Sequence, residues 1–181
     1  MFTIALLAVV TVFSVSFAYF TIELREGELF TTQGGVNPGT MPEINFTENQ
    51  EGVSLTNTYP MPDSAGIKVK DVYTYTVENT DANKAVNVVV SFEVLNNSTL
   101  EDNLVNYLLN GSINTLVSNN TTKTTSTNYK TAYVIDTYTL AAGASKTSNL
   151  KLWINENGTL ENAQNKRWSG RIVVSAAFVE E

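Results

Sequence analysis

Apolar and polar residues alternate with a period of two along most of the chain beyond residue 18. Because successive side chains of a β-strand point to opposite faces, this pattern predicts strands that each bury one face. Long crossover helices, which a parallel sheet needs, are absent from the pattern. We therefore predict an all-β fold, an antiparallel sandwich of two packed sheets with one or two short helices. The clearest predicted strands lie at residues 20–24, 73–77, 86–94, 133–140, 150–154 and 172–178, with a weaker one at 53–55.

Three segments depart from the strand pattern. Ser98 and Glu101 have the spacing of a capping box, and apolar residues follow at helical spacing up to Gly111, a residue that often ends helices. We therefore predict a short helix of about ten residues here. Residues 159–166 are predicted to form a second short helix or an ordered loop. The polar tract at 118–128 predicts an exposed loop.

The first 22 residues carry no charged side chain. One interpretation is a signal peptide that is cleaved after Ala18. Ser16 and Ala18 supply small residues at positions −3 and −1 of such a site, and Tyr19 would begin the mature chain. A signal peptide normally starts with a basic region, whereas no Lys or Arg precedes this apolar run.

Two other interpretations of residues 1–22 stay open. The segment is long enough to span a bilayer, so it could be a retained anchor that contacts the membrane, or a helix in a filament core. It could also be a buried core helix. We divide the chain into a signal peptide or apolar anchor (1–18), an N-terminal strand and link (19–40), and a β-sandwich domain (41–181).

Composition excludes several classes of protein. The chain has 181 residues, a net charge of −7, and neither His nor Cys. These absences exclude disulfides, zinc fingers, thiolate metal sites and catalytic triads that need an imidazole base. The acidic balance argues against nucleic acid as a partner, because phosphates attract basic surfaces. The 21 Asn and 24 Thr residues are typical of strands joined by polar turns.

Candidate catalytic patterns are weak. Ser148 and Lys151 form one S-x-x-K spacing, but the S-D-N and K-T-G motifs that accompany it in serine enzymes are missing. There is no Walker loop, no G-x-S-x-G and no G-x-G-x-x-G. A calcium loop of the D-x-[DN]-x-[DN]-G type is missing too. We therefore predict a protein that is not an enzyme, with no catalytic residue, cofactor or metal.

Sequons of the form N-x-[ST] are numerous. In an exported protein of an archaeon or a eukaryote they would be glycan acceptors on exposed loops, whereas in most bacteria they would be bare. A chain this rich in Asn and Thr also yields sequons by chance. The candidate glycosylation sites are Asn45, Asn97, Asn110, Asn120 and Asn157.

The end of the apolar leader carries a family resemblance. Ser16-Phe17-Ala18-Tyr19-Phe20-Thr21 is similar to the A-[YF]-F-[ST] junction of TasA/camelysin-type exported proteins. In that family an apolar leader is removed and the mature chain begins with an aromatic pair. Four internal segments also resemble the family, so that the likeness runs intermittently across nearly the whole chain: residues 53–61, 75–80, 150–157 and 168–172.

The resemblance implies a jelly-roll-like sandwich that self-associates into fibres of a biofilm matrix. It also implies that the N-terminal segment of one subunit completes a sheet of the next. The candidate donor strand here contains Phe20, Ile22 and Leu24, which alternate with polar residues. The camelysin label would suggest a metalloprotease, but the chain has no H-E-x-x-H motif. We carry over no catalytic residue.

The sequence therefore predicts a secreted or cell-surface structural protein, a subunit of an extracellular filament built by N-terminal strand exchange. The first alternative is a membrane-anchored or pilin-like filament protein that keeps its apolar helix. The second is a cell-surface adhesion module that would use exposed Tyr and Trp side chains. Most aromatic residues alternate with polar ones, however, which is typical of core positions.

Overall fold

The structure is a computed structural model, and it describes residues 42–56 and 58–179. The predictions for the leader, for cleavage between Ala18 and Tyr19, and for the donor strand with Phe20, Ile22 and Leu24 lie outside the described residues.

The described part of the chain forms an all-β sandwich of two antiparallel sheets, as predicted. Each sheet has five strands. Sheet A has the order β1-β3-β9-β5-β6, and sheet B has the order β2-β10-β4-β8-β7. The strands are β1 (Ile44–Glu48), β2 (Val53–Leu55), β3 (Tyr73–Asn79), β4 (Val86–Leu95), β5 (Val105–Leu109), β6 (Ser112–Thr115), β7 (Thr121–Thr122), β8 (Tyr129–Leu140), β9 (Ser145–Ile154) and β10 (Trp168–Phe178).

The core lies between the two sheets, where alternating side chains from both meet. The interior stripe of β4 and the interior stripe of β10 are almost fully buried. At the end of this core where β10 begins, the Phe92 and Trp168 rings stack with their centroids 4.7 Å apart. Trp168 is 0% exposed in this core, and Trp153 is 0% exposed on the outer face of sheet A, against Gly66. The predicted assignment of most aromatic residues to the core is therefore correct for the described residues.

One segment of the chain forms the lateral edge of both sheets. Strand β1 pairs with β3 at the edge of sheet A. After a four-residue link (49–52) the same segment joins sheet B, where β2 pairs with residues 168–170 of β10. Gly52 lies in this link with φ of +67°, and an ideal Cβ there would be 2.9 Å from the carbonyl oxygen of Gly170. The crossing therefore needs glycine.

The predicted helix at 98–111 is wrong. Only a single 3₁₀ turn, Asp102–Leu104, forms there, and the chain continues as β5 and β6. Asn110 and Gly111 have φ of 49° and 91° and make the two-residue turn of this hairpin. Such Asn-Gly turns match the twist of paired strands, and this local preference outweighs the helical spacing. The Ser98 hydroxyl does not cap a helix, because it bonds the backbone of Ser169 instead.

Two loop predictions have different outcomes. Residues 159–166 form an ordered loop rather than a helix, held by the hydrogen bond from the Ala163 N–H to the Thr159 carbonyl. The tract at 118–128 is exposed over most of its length, but it also contains the 3₁₀ turn Ser118–Asn120 and the short strand β7. A four-residue helix that the sequence did not predict, α1 (Asp63–Gly66), packs on Trp153.

Candidate functional site

Strand β10 has an edge that the described residues leave unpaired. β2 covers only residues 168–170, while β4 pairs with β10 as far as Phe178. No described strand covers the other side of residues 171–178, and we call this stretch the open edge of β10. The Val179 N–H bonds the Ala85 carbonyl on the β4 side. Because backbone groups alternate along a strand, the N–H and C=O groups of four residues point to the open side. These residues are Ile172, Val174, Ala176 and Phe178.

The open edge of β10 is regular and largely uncharged. Its pairing with β4 runs from Gly170 to Phe178 without a register shift. The interior side chains of Ile172, Val174 and Ala176 are at most 4% exposed. Arg171 is the only charged residue of the stretch. An unpaired, regular and apolar strand of this kind is a template for pairing with another strand.

A groove of about 760 Å³ begins at the Arg171 end of this edge. It is lined by Arg171 and Ile172 of β10 and by residues 50–52 of the link. Its floor is apolar and comes from both sheets, whereas its rim is acidic. The floor includes Leu55, Tyr73, Leu150 and Leu152, and the rim includes Glu48, Glu51 and Asp71.

The rim and floor of the groove are joined by one hydrogen bond. The Tyr73 hydroxyl donates to the Glu48 carboxylate. Burial raises the pKa of the Tyr73 phenol well above its ordinary value, and the Glu48 carboxylate adds to this shift. Tyr73 therefore stays neutral and keeps Glu48 as an acceptor. Glu51 and Asp71 are exposed, so the rim presents negative charge to solvent.

Sheet B has a second open edge, on β8, with different chemistry. β7 covers only Ala132 and Tyr133, and no described strand covers the outer side of residues 135–140. We call this stretch the open edge of β8. A register shift between β4 and β8 makes Ile135 an extra, bulged residue. The edge therefore lacks the regular geometry that β10 has.

The open edge of β8 also carries charges that point inward. Asp136 lies opposite the buried Val90, and Lys146 of β9 lies opposite the buried Val77, so both side chains face the interior. Their ion pair joins the two sheets, with 2.8 Å between Nζ and Oδ2. The Lys146 Nζ also lies 3.7 Å from the centre of the Tyr138 ring. Bulges and inward charges both obstruct the addition of a strand.

Buried phenols surround this ion pair. Burial, with a smaller contribution from the Asp136 carboxylate, raises the pKa of Tyr75 to about 12. Burial also raises the pKa of Tyr107 and of Tyr138, with the same carboxylate contributing. The hydroxyl oxygens of Tyr75 and Tyr138 are buried. This arrangement is a polar cluster within the sandwich, closed on its outer side by Asp136 and Lys146.

Other acids of the described residues also have structural partners. Asp63 accepts hydrogen bonds from the Trp153 indole and from Asn106. Asp102 accepts from the Trp168 indole at 3.0 Å, from Tyr133, and pairs with Lys130. These carboxylates hold the two buried tryptophans.

Glu93 holds a loop to the outer face of sheet B. It is 1% exposed, accepts bonds from the backbone and hydroxyl of Thr125, and pairs with Arg171 at 3.0 Å.

Backbone N–H groups of Asn83 and Lys84 bond Asp81 and hold the pKa of its carboxyl below the ordinary value. In the described part of the chain no group of three or more His, Cys, Asp and Glu side chains could hold a metal.

The weak S-x-x-K spacing does not form a site. Ser148 is 0% exposed and faces the core, where its Oγ accepts a hydrogen bond from the Asn110 amide. Lys151 lies three residues further along the same strand and therefore on the opposite face. Its Nζ donates to the carbonyl oxygen of Ile67. The two side chains are not brought together.

All five candidate glycosylation residues are exposed. Three of them use the side-chain amide in hydrogen bonds: Asn45 with Glu78, Asn110 with Ser148, and Asn120 with the Val134 carbonyl. Asn97 lies in the exposed turn after β4, and Asn157 lies in the exposed turn after β9. Exposure permits modification at these positions but assigns no function to them.

Among the described residues there is no helix long and apolar enough to span a membrane.

Comparison with known proteins adds no function. No protein-family model and no curated protein matches this chain. One solved structure, described as "AvmM Catalyzes Macrocyclization in Alchivemycin A Biosynthesis", shares 12% identity and a TM-score of 0.32, with 81% of this chain and 95% of that chain covered. The collagen binding domain of the Erysipelothrix rhusiopathiae surface protein RspB shares 6% identity and a TM-score of 0.19, with 76% and 61% covered. Both similarities are too distant to carry an argument.

Proposed function

We propose that this protein is a non-enzymatic, exported structural protein, a subunit of an extracellular or biofilm-matrix filament that assembles by N-terminal strand exchange. The observation that carries the proposal is the open edge of β10. It offers four residues with outward backbone groups, an apolar interior face and no bulge. The resemblance of the leader junction to TasA/camelysin-type proteins supports the same function.

The geometry fits an added strand in length. Residues 171–178 extend over about 23 Å, at 3.3 Å per residue. The alternating segment with Phe20, Ile22 and Leu24 extends over about 13 Å by the same measure, so it fits within the edge. An added strand would satisfy the outward backbone groups and bury alternate side chains between the sheets. The cost of leaving an apolar strand edge in water would then be removed by a neighbouring subunit.

The chain before the described residues enters the sandwich at the Phe178 end of the open edge of β10. The carbonyl of Glu43 bonds the N–H of Thr80, so the chain enters at the end of the sandwich where β3 passes to β4. Phe178 and Val179 lie at the same end, beside Ala85. Residues 26–41 could extend over about 50 Å as a fully extended link.

A deletion tests the proposal. Removal of residues 19–32 should abolish filaments, while circular dichroism still shows a folded β domain. In a finer test, replacing Phe20, Ile22 and Leu24 by Ser should have the same effect. The matched control replaces the intervening Thr21 by Ser and Glu23 by Gln, and should still assemble. Normal filaments from the deletion would refute strand exchange.

The mass and N-terminal sequence of the protein from the native cell surface test the export step. A chain that starts at Tyr19 would agree with a cleaved leader. A chain that keeps residue 1 would instead favour the membrane-anchored or pilin-like alternative.

A further inference from the structure

The groove at the Arg171 end of β10 opens between the two sheets. Its floor is made by core side chains of both sheets, each at most 8% exposed. Half-buried apolar side chains add to this surface. A volume of about 760 Å³ is within the range of small-molecule sites. The floor residues are Tyr73, Leu150 and Leu152 of sheet A with Leu55 and Ile172 of sheet B, and the half-buried ones are Val53, Met61, Val69 and Leu95.

The polar part of the lining carries an excess of negative charge. Its charged residues are the three acids of the rim, Glu48, Glu51 and Asp71, and one base, Arg171. The Arg171 guanidinium lies 3.0 Å from the carboxylate of the buried Glu93, which is not part of the lining, so its charge is already balanced. None of the three rim acids is in an ion pair with a described residue. The groove therefore attracts positive charge.

One carboxylate is held where the rim meets the floor. The hydroxyl of Tyr73, a floor residue that is 2% exposed, donates to the Glu48 carboxylate. A carboxylate offers about four acceptor positions, and the phenol uses one of them. A positively charged donor that lies on the floor would therefore meet an acceptor whose position is already fixed.

We propose that the groove binds an organic cation with an apolar body and a protonated amine. The body lies on the floor between the sheets, and the amine lies at the rim among Glu48, Glu51 and Asp71. Burial of the body provides affinity, and the carboxylates select the charge of the head group. A neutral molecule of the same shape would gain only the contact with the floor, and an anion would be repelled. A single subunit contains the whole site, so this inference is independent of strand exchange.

Three probes with one apolar body test the charge of the ligand. Phenylbutylamine, phenylbutanol and phenylbutyrate are positive, neutral and negative near neutral pH. Isothermal titration calorimetry of the full-length chain should show that the amine binds about five- to tenfold more tightly than the alcohol. The carboxylate should bind more weakly than the alcohol. Methylamine has the charge without the body and should show no measurable binding, and added salt should reduce the preference for the amine.

Variants of the rim locate the amine. Glu51→Gln and Asp71→Asn should each weaken the binding of phenylbutylamine by about two- to fivefold and leave that of phenylbutanol unchanged. Both residues are exposed, so the fold should be unaffected. The matched control is Glu43→Gln, which removes an exposed carboxylate beside Thr80, at the other end of the sandwich. It should leave the affinity for every probe unchanged.

A larger side chain in the groove locates the apolar body. Val69 is a half-buried residue of the lining, and Val69→Trp should abolish the binding of the amine and of the alcohol while circular dichroism still shows a folded β domain. Unchanged binding by this variant would overturn the groove as the site. Equal affinities for the three probes, or equal effects of Glu51→Gln and Glu43→Gln, would overturn selection by the acidic rim. Absence of saturable binding of phenylbutylamine would overturn the whole inference and leave the proposed filament function untouched.

Discussion

The two open edges of sheet B are built differently, although they belong to the same sheet. The edge of β10 is regular, and its interior residues are apolar. The edge of β8 has a bulge at Ile135 and an inward pair of charges, Asp136 and Lys146. Exposed strand edges associate unless bulges or charges obstruct them. The difference indicates that, within sheet B, the fold obstructs the edge of β8 and leaves the edge of β10 free.

The largest effect is expected from proline on β10. Val174→Pro removes an N–H that points to the open side, so the fold should lose about 1 kcal/mol while strand acceptance is abolished. Val173→Pro removes an N–H that points to β4, and should destabilise the fold by about 3 kcal/mol or more. Electron microscopy and urea unfolding of both variants check this. Filaments from Val174→Pro at the natural concentration would show that the open edge of β10 is not used.

The next largest expected effect is increased self-association of the protein through the open edge of β8. Replacing the pair by Asp136→Val and Lys146→Met removes both inward charges without leaving one of them unpaired. The variant should fold but form larger assemblies that light scattering detects, because the β8 edge has lost part of its obstruction. The control exchanges the two residues, Asp136→Lys with Lys146→Asp, and should not aggregate. A double variant that behaves like the control would mean that the bulge alone protects this edge.

Alkaline pH should weaken the region around the β8 edge. Burial raises the pKa of Tyr75 to about 12 in the folded chain, whereas an unfolded tyrosine titrates near 10. The folded state therefore keeps its proton when the unfolded state loses it. The stability that this provides is complete below pH 10 and is lost as the pH rises from about 10 to 12, by on the order of 2–3 kcal/mol for this group. Urea midpoints at pH 8 and pH 11 should differ, and equal midpoints would contradict the shift.

The smallest effect distinguishes two buried hydroxyl groups. The Tyr138 hydroxyl has no hydrogen-bond partner among the described residues, so Tyr138→Phe should change stability by less than about 0.5 kcal/mol or increase it. The Tyr133 hydroxyl donates to Asp102 at 2.8 Å, and Tyr133→Phe should cost about 1–2 kcal/mol. Thermal unfolding of the two variants gives the comparison. Equal losses would mean that Tyr138 also has a partner.

The sandwich could be predicted because alternation is a local signal. The runs at 73–77, 86–94 and 172–178 became β3, β4 and β10 with the predicted faces buried. The hairpin at Asn110 and Gly111 could also have been found, since an Asn-Gly pair between apolar residues favours a two-residue turn. The capping-box spacing of Ser98 and Glu101 predicted a helix in its place, so the hairpin was missed. Spacing alone does not show whether Ser98 bonds its own turn or the distant Ser169.

The open edges could not be predicted from the chain alone. Which side of β10 is covered depends on where β2 ends, and that follows from the crossing at Gly52 rather than from any feature of β10 itself. The inward position of Lys146 was equally hidden, because an isolated Lys in an alternating strand predicts an exposed face. The acidic rim combines residues from β1, the following link and the segment before β3, so only the fold brings them together.

The crossing of one segment from sheet A to sheet B also has a dynamic consequence. β2 pairs over only three residues, Trp168 to Gly170 of β10, whereas β4 pairs with β10 over nine, Gly170 to Phe178. Short, peripheral pairings open most often in native-state hydrogen exchange. We therefore expect the β2 amides to exchange before those of β4. Each opening would extend the open edge of β10 past Gly170 to Trp168. The proposed added strand would then have more residues to pair with than when β2 is bound.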